Sequence, residues 1–357
     1  MTKLKDFIVR THLENTDENQ KLGNADFDTQ DYIFFETFDE VSNLTDFERV
    51  TYATDYAIMN GAYVSDTYGG PKKDRHISWF WLRQAESKDS VHSVIWDGSY
   101  FNFGPDTKSA VICPSLHLNL ATIIAKRNES RDFKIKPFRK ESGDVLYYTI
   151  EFGSYPQDKA KNNDELERLF NARKLTPTGK TYSGYMKEDG SFQQNKEFEY
   201  AGKKYVRVIT KPHYKDSEYK DKTQVQKFGA PVWAEVQPIR WKIKNWDELP
   251  RSINPNGSGT AKTIYVKSEE GIVSGIPFYP HYGDDKSRDT MWQNSVIRAY
   301  LNGYNLYNEI DSGNGNEEYK NDENFNFDGN GFLQEAFVRS LSRTSTVIQK
   351  DEKEFQA

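Results

Sequence analysis

The sequence predicts a strand-rich α+β fold with a few short helices, on three observations. Aromatic residues make up 14% of the 357 residues against 36% for all apolar types, and Phe, Tyr and Trp favour pleated, half-buried surfaces. Thirteen prolines and 23 glycines are spread along the chain, so turns are many and long helices few. The apolar runs are short and bounded by turn residues, as strands are. This length fits one large domain or two ordinary ones.

Taken in order, "DYIFFETFDEVSN" (31–43) holds a short β-prone run followed by polar residues. Thr45 and Glu48 form a capping box, which predicts a helical stretch through Ala57 and Met59 that stops at Asn60-Gly61. "HISWFWLRQAESKDSVHSVIWDGSYFNFG" (76–104) reads as strand, Asp97-Gly98 turn, strand. Trp79, Phe80, Trp81 and Leu82 put bulk on both phases, which predicts a covered central strand with Arg83 held structurally by a carboxylate or by carbonyls. "KSAVICPSLHLNL" (108–120) reads as a buried strand interrupted by Pro114.

The run "AKRNESRDFKIKPFRK" (125–140), seven Lys/Arg against two acids, is expected to be a solvated linker within 121–144. "VLYYTIEFGSYPQ" (145–157) is a strand, "NDELERLFNARKL" (163–175) a short helix, and "KEFEYAGKKYVRVIT" (196–210) a hairpin turning at Ala201-Gly202. "APVWAEVQPIRWKI" (230–243) is a core strand with Pro238 at an edge or bulge. "TMWQNSVIRAYLNG" (290–303) is the clearest helix, ended by Asn302-Gly303. Segment 305–335, with eight acids and one lysine, is expected to be an irregular loop.

Net charge of −6 gives no overall nucleic-acid footprint, so no nucleic-acid partner is expected. The start "MTKLKDFIVR" lacks a continuous apolar core, and no stretch reaches the length of a membrane span. A cytoplasmic location is the default expectation. One cysteine, Cys113, excludes an intrachain disulfide framework and a Cys-rich zinc site. Nucleophile elbow, zinc-protease and phosphate-loop motifs are absent, and the six histidines form no ligand-like pair.

"FGSYPQ" (152–157), "PIRWKI" (238–243), "SVIRAYLNG" (295–303), "GFLQEAF" (331–337) and "WFWLR" (79–83) resemble the motifs of the bacterial DUF6273 family. The resemblance implies a C-type-lectin-like fold of the formylglycine-generating-enzyme-like branch. The motif order departs from that family, whose Trp-Leu-Arg strand comes near the end. The expectation is one circularly permuted domain, in which 1–120 is the family's C-terminal-half-like segment, 121–144 a linker, and 145–357 its N-terminal-half-like segment. A piece of a tandem array is the alternative.

Two candidate sites follow. Along the hairpin, His92, Trp96, Asp97, Tyr100, Asn102 and Phe103 could line a groove, since aromatic side chains give contact area at low entropic cost and polar tips give orientation. In C-type-lectin-like binding proteins, the resemblance implies, this late hairpin often carries ligand contacts. In the acidic loop, Asn324, Asn326, Asp328, Gly329 and Glu335 fall at positions 1, 3, 5, 6 and 12 of a calcium loop, although position 1 is Asn rather than Asp and position 8 is Gly331. Calcium is the sole cofactor this spacing suggests. The expected function is a non-enzymatic ligand-binding or protein-interaction module with a protein or glycan ligand. The alternatives are a formylglycine-generating-type oxidoreductase, against which the lone Cys113 counts, and a structural domain of a surface or phage assembly. Cys113 is expected to be a buried, inert thiol.

Overall fold

The structure is a computed structural model. It describes residues 4–15, 28–65, 76–130, 133–140, 142–188, 190–213, 228–279, 290–303 and 331–342. In chain order come α1 (Leu4–Phe7), β1 (Ile8–Val9), β2 (Thr11–Leu13), β3 (Thr29–Asp31), β4 (Ile33–Phe34), α2 (Phe38–Ser42), α3 (Asp46–Arg49), β5 (Thr51–Ala53), α4 (Asp55–Met59) and β6 (His76–Ser78). Next are β7 (Phe80–Ser87), β8 (Ser90–Val94), β9 (Tyr100–Phe103), β10 (Ser115–Asn119), α5 (Leu120–Ser130), β11 (Ile135–Arg139), β12 (Val145–Lys159) and α6 (Asn163–Asn171). The rest are β13 (Thr176–Met186), β14 (Phe192–Tyr200), β15 (Lys203–Ile209), β16 (Pro231–Ile243), β17 (Thr263–Ser268), α7 (Val296–Asn302) and α8 (Phe332–Ser342).

Ten strands make one antiparallel sheet in the order β1-β10-β17-β16-β15-β14-β13, with β12 joining β16 to β11 and β4 pairing β10. Its axis is β16, which is long enough to pair β15 over 231–235, β12 over 234–242 and β17 over 241–243. Pro238 lies opposite Ser154, next to a register shift, where a missing N–H is tolerated. Smaller sheets are β2-β3, β5-β6 and β7-β8-β9.

Residues 1–120 and 145–357 share this sheet, because β10 lies between β1 and β17. They also share a core. One apolar cluster takes Phe7, Trp79, Trp81 and Leu116 from the first stretch and Ile150, Trp241, Trp292, Tyr300 and Phe337 from the last. The charged Arg298 is buried with it, its Nε donating to Asp31 Oδ1 at 2.9 Å.

Local chemistry explains several of these elements. Both Thr37/Glu40 and Thr45/Glu48 form complete capping boxes at the starts of α2 and α3. The β14–β15 hairpin turns through Ala201 and Gly202, both at positive φ. Helix α7 starts at Ser295, which accepts the Arg298 amide, and ends at Gly303 in the left-handed region.

Four expectations need correcting. The stretch Trp79–Arg83 is not a central strand: among the described residues β7 is an edge of the β7-β8-β9 sheet with a single bridge, Phe80 to Val111, on its other side, and its rings are covered by packing on both faces. The helical stretch from Thr45 to Met59 is two short helices parted by β5, whose residues pair with β6 across the chain; that partner is invisible to local periodicity. The 121–144 linker is instead the continuation of α5 and the strand β11. Ile123 is buried, and Ile135 pairs with Ile150 while Phe138 stacks on Tyr147 at 4.7 Å. The acidic loop's last residues, from Phe332, are helical; residues 304–330 lie outside the described residues.

Candidate functional site

The candidate hairpin is fixed first by its turn. The Gly98 amide donates to the Ile95 carbonyl, and the Ile95 amide donates to Ser99 O, both at 2.9 Å. Gly98 takes φ +87°, so this is a type I turn with a glycine bulge. A side chain at Gly98 would place Cβ 2.0 Å from the Asp46 carbonyl oxygen, so the tip is seated on α3. Asp97 Oδ1 accepts from the Ser99 amide at 2.9 Å and from its hydroxyl at 2.6 Å. Those hydrogen bonds hold the Asp97 carboxyl below its ordinary range.

From this turn the ladder runs Val94/Tyr100, Ser93/Phe101, His92/Asn102 and Val91/Phe103. Antiparallel pairs alternate between hydrogen-bonded and non-bonded, and Ile95/Ser99 is bonded. Phe101 and Phe103 are therefore tied to β8, while the main-chain groups of Tyr100 and Asn102 point to the outer side of β9. Among the described residues, β9 pairs only with β8.

Side chains of β9 alternate between two faces. On one, Phe38 of α2 lies 4.5 Å from the Tyr100 ring and 5.1 Å from His92. His92 Nε2 meets Glu86 Oε2 at 2.9 Å. The Arg49 guanidinium stands 4.5 Å over the Tyr100 ring, pairs with Asp46, and donates to the Gly98 carbonyl at 2.7 Å and to the Leu44 carbonyl. Burial pushes the Tyr100 hydroxyl above its ordinary value.

On the other face runs an aromatic series: Phe101 to Phe103 at 4.8 Å, Phe103 to Trp79 at 4.1 Å, Trp79 to Trp81 at 5.0 Å and Trp81 to Phe278 at 5.8 Å. It begins in solvent, since Phe101 is 52% exposed, and ends in the core. Arg83 is buried alongside, donating to the Phe35 carbonyl at 2.9 Å, so its role is the structural one expected.

The six hairpin residues do not converge on one groove. His92 and Tyr100 pack on Phe38. Trp96 turns to Tyr63 at 5.2 Å and to the cluster of Val50, Tyr52 and Ile77. Phe103 joins the aromatic series. Asp97 and Asn102 are exposed. The most exposed aromatic of the strand, Phe101, was not among the six residues singled out from sequence. Its signal was the strand's two-residue period, which sets Phe101 on the face opposite Tyr100 and Asn102.

Of the calcium-loop positions, Asn324, Asn326 and Asp328 lie outside the described residues. Glu335 is buried: its carboxylate accepts from the Ser183 amide and hydroxyl at 2.9 and 2.7 Å and from the Tyr155 hydroxyl at 2.8 Å. Burial pushes this carboxyl up despite those donors. Among the described residues no group of three or more His, Cys, Asp or Glu could hold a metal ion.

Cys113 is buried with its sulfur 3.4 Å from the Thr51 hydroxyl, and burial pushes the thiol up. Nearby Glu36 is fully buried and paired with Lys267 and Lys244. Burial opposes its ionisation, but the two ammonium groups outweigh that and hold it at about 2. Among the described residues no helix is long and apolar enough to cross a membrane. Comparison with family models, with curated proteins and with solved structures returns no match.

Proposed function

We propose that this chain is a non-enzymatic binding module whose ligand surface is strand β9, with Phe101 as its central contact. In its finer form the proposal takes the fold as a permuted C-type-lectin-like domain, supported by the sheet and core to which described residues before 120 and after 145 both contribute. The observation that carries the function is Phe101. A large aromatic ring left 52% exposed on an outer strand, backed by rings that continue into the core, is a rigid anchor of the kind that dominates recognition. The ligand is a protein segment or a glycan, since both stack against an exposed aromatic ring such as Phe101.

The test uses arrays of peptides and of oligosaccharides probed with the wild-type chain and with Phe101→Ala. Loss of a central aromatic anchor costs about 2 kcal/mol or more, which is at least about 30-fold in affinity. The expected result is a ligand class retained by the wild type and lost by the variant, with the melting temperature little changed. Ligands that bind equally well to both proteins would sink the proposal.

A further inference from the structure

We infer that the outer edge of β9 accepts an extended peptide as a fourth strand of the β7-β8-β9 sheet, and that this peptide alternates cationic with apolar residues. The inference rests on the binding-module reading and narrows its ligand to one class. The backbone supplies the first part. The turn geometry makes Ile95/Ser99 a bonded pair, so the N–H and C=O groups of Tyr100 and Asn102 face outward, two residues apart. An incoming strand meets that spacing by the same two-residue repeat, which is how edge strands capture extended peptides.

The side chains supply the second part. Beside one face of the edge lies Phe101, half in solvent, and an apolar side chain of the incoming strand would cover it. The other face is bracketed by carboxylates. Asp97 is exposed in the turn, and Asp46, whose side chain is 68% exposed, lies beneath it. Glu86 stands at the other end on His92, which is paired with Asn102. Arg49 on this face pairs with Asp46 and offsets its charge, so the carboxylates it leaves uncompensated are Asp97 and Glu86, the latter on His92. The rim therefore favours positive charge at alternate positions, and such complementarity selects partners as much as it tightens them.

The experiment uses the full chain and a short dye-labelled lysine–valine alternating peptide, followed by fluorescence anisotropy. Saturable binding is expected, and raising salt from about 0.05 to about 0.3 M should weaken it severalfold, because exposed charges are then screened. Asn102→Pro removes one outward N–H without touching the bonded pairs, a change that edge strands tolerate, and should weaken binding at least about tenfold. The same peptide N-methylated at alternate residues removes the bond from the other side and should lose as much. It gives the answer even if melting shows that Asn102→Pro is misfolded. The inference is overturned if the lysine–valine peptide fails to bind, if a glutamate–valine peptide binds equally well, or if N-methylation has no effect. A chitin oligosaccharide that binds the wild type but not Phe101→Ala, with no peptide binding, overturns this inference and leaves the binding-module reading standing.

Discussion

Strands β7 and β9 belong to one three-stranded sheet and are both rich in aromatic residues, yet they stand on opposite sides of the boundary between core and surface. Every residue of β7 from Phe80 to Ala85 is buried, while Phe101 and Asn102 of β9 are exposed. Composition does not separate them. What differs is the neighbours: β7 is packed on both faces, with Phe80 and Leu82 in one apolar cluster and Trp81 in another. Both strands are edges of that sheet, with β8 between them, but one face of β9 leaves Phe101 in solvent. An aromatic run thus marks a β-strand, and what packs on its two faces decides whether the rings stabilise the fold or remain available to a partner.

The hardest test of this contrast is Trp81→Ala. Emptying a fully buried indole site costs about 3–5 kcal/mol, so chemical denaturation should show a large loss of stability or an unfolded protein. A loss below about 1 kcal/mol would erase the distinction between the two strands.

Next in size is Glu36→Gln, which leaves Lys267 and Lys244 without their buried partner and should cost about 3 kcal/mol. Because the folded carboxyl sits near 2, below its ordinary 4.5, the pair's contribution is present above pH 4.5 and is lost as the pH falls towards 2. Urea titrations across that window should be less pH-dependent in the variant than in the wild type. The exposed side of the hairpin offers a control, since Glu86→Gln removes only a half-exposed partner of His92 and should change stability by less than about 1 kcal/mol.

Smaller effects are expected at the half-buried aromatics. Tyr100→Ala forfeits packing on Phe38 and Arg49, and Trp96→Ala forfeits packing on Tyr63; each should lower stability by about 1–2 kcal/mol. Smallest of all in stability is Phe101→Ala, within about 0.5 kcal/mol. The order Trp81, Tyr100, Phe101 in thermal melts is the sharpest form of the comparison. A Phe101 variant that melts as early as the Tyr100 variant would show that its ring is core.

Much of the scaffold was legible in the sequence because local chemistry dictates it. The Thr45/Glu48 box, the Ala201-Gly202 turn, the Gly303 helix stop and the Asp97-Gly98 turn are all written in a few adjacent residues. The misreadings share a different cause. Strand β5 exists because β6 pairs with it, and β11 because Ile135 and Phe138 find Ile150 and Tyr147. In both places the deciding partner is remote in sequence. The candidate site shows the same limit. Trp96 and Tyr100 read as display residues because a hairpin was visible, whereas the rings that cover them, Tyr63 and Phe38, lie in other elements.

Gly98, pressed against the Asp46 backbone, has a consequence for the kinetics of recognition. It clamps the hairpin tip to α3, so the four residues of β9 are ordered before any partner arrives. Fixing a free backbone residue costs about 1–2 kcal/mol, and a strand that is already immobile spares an encounter about 4–8 kcal/mol of ordering. Association should then be a single-step docking event with little change in the hairpin's shape, and loosening the clamp should slow capture without removing a single contact from the ligand surface.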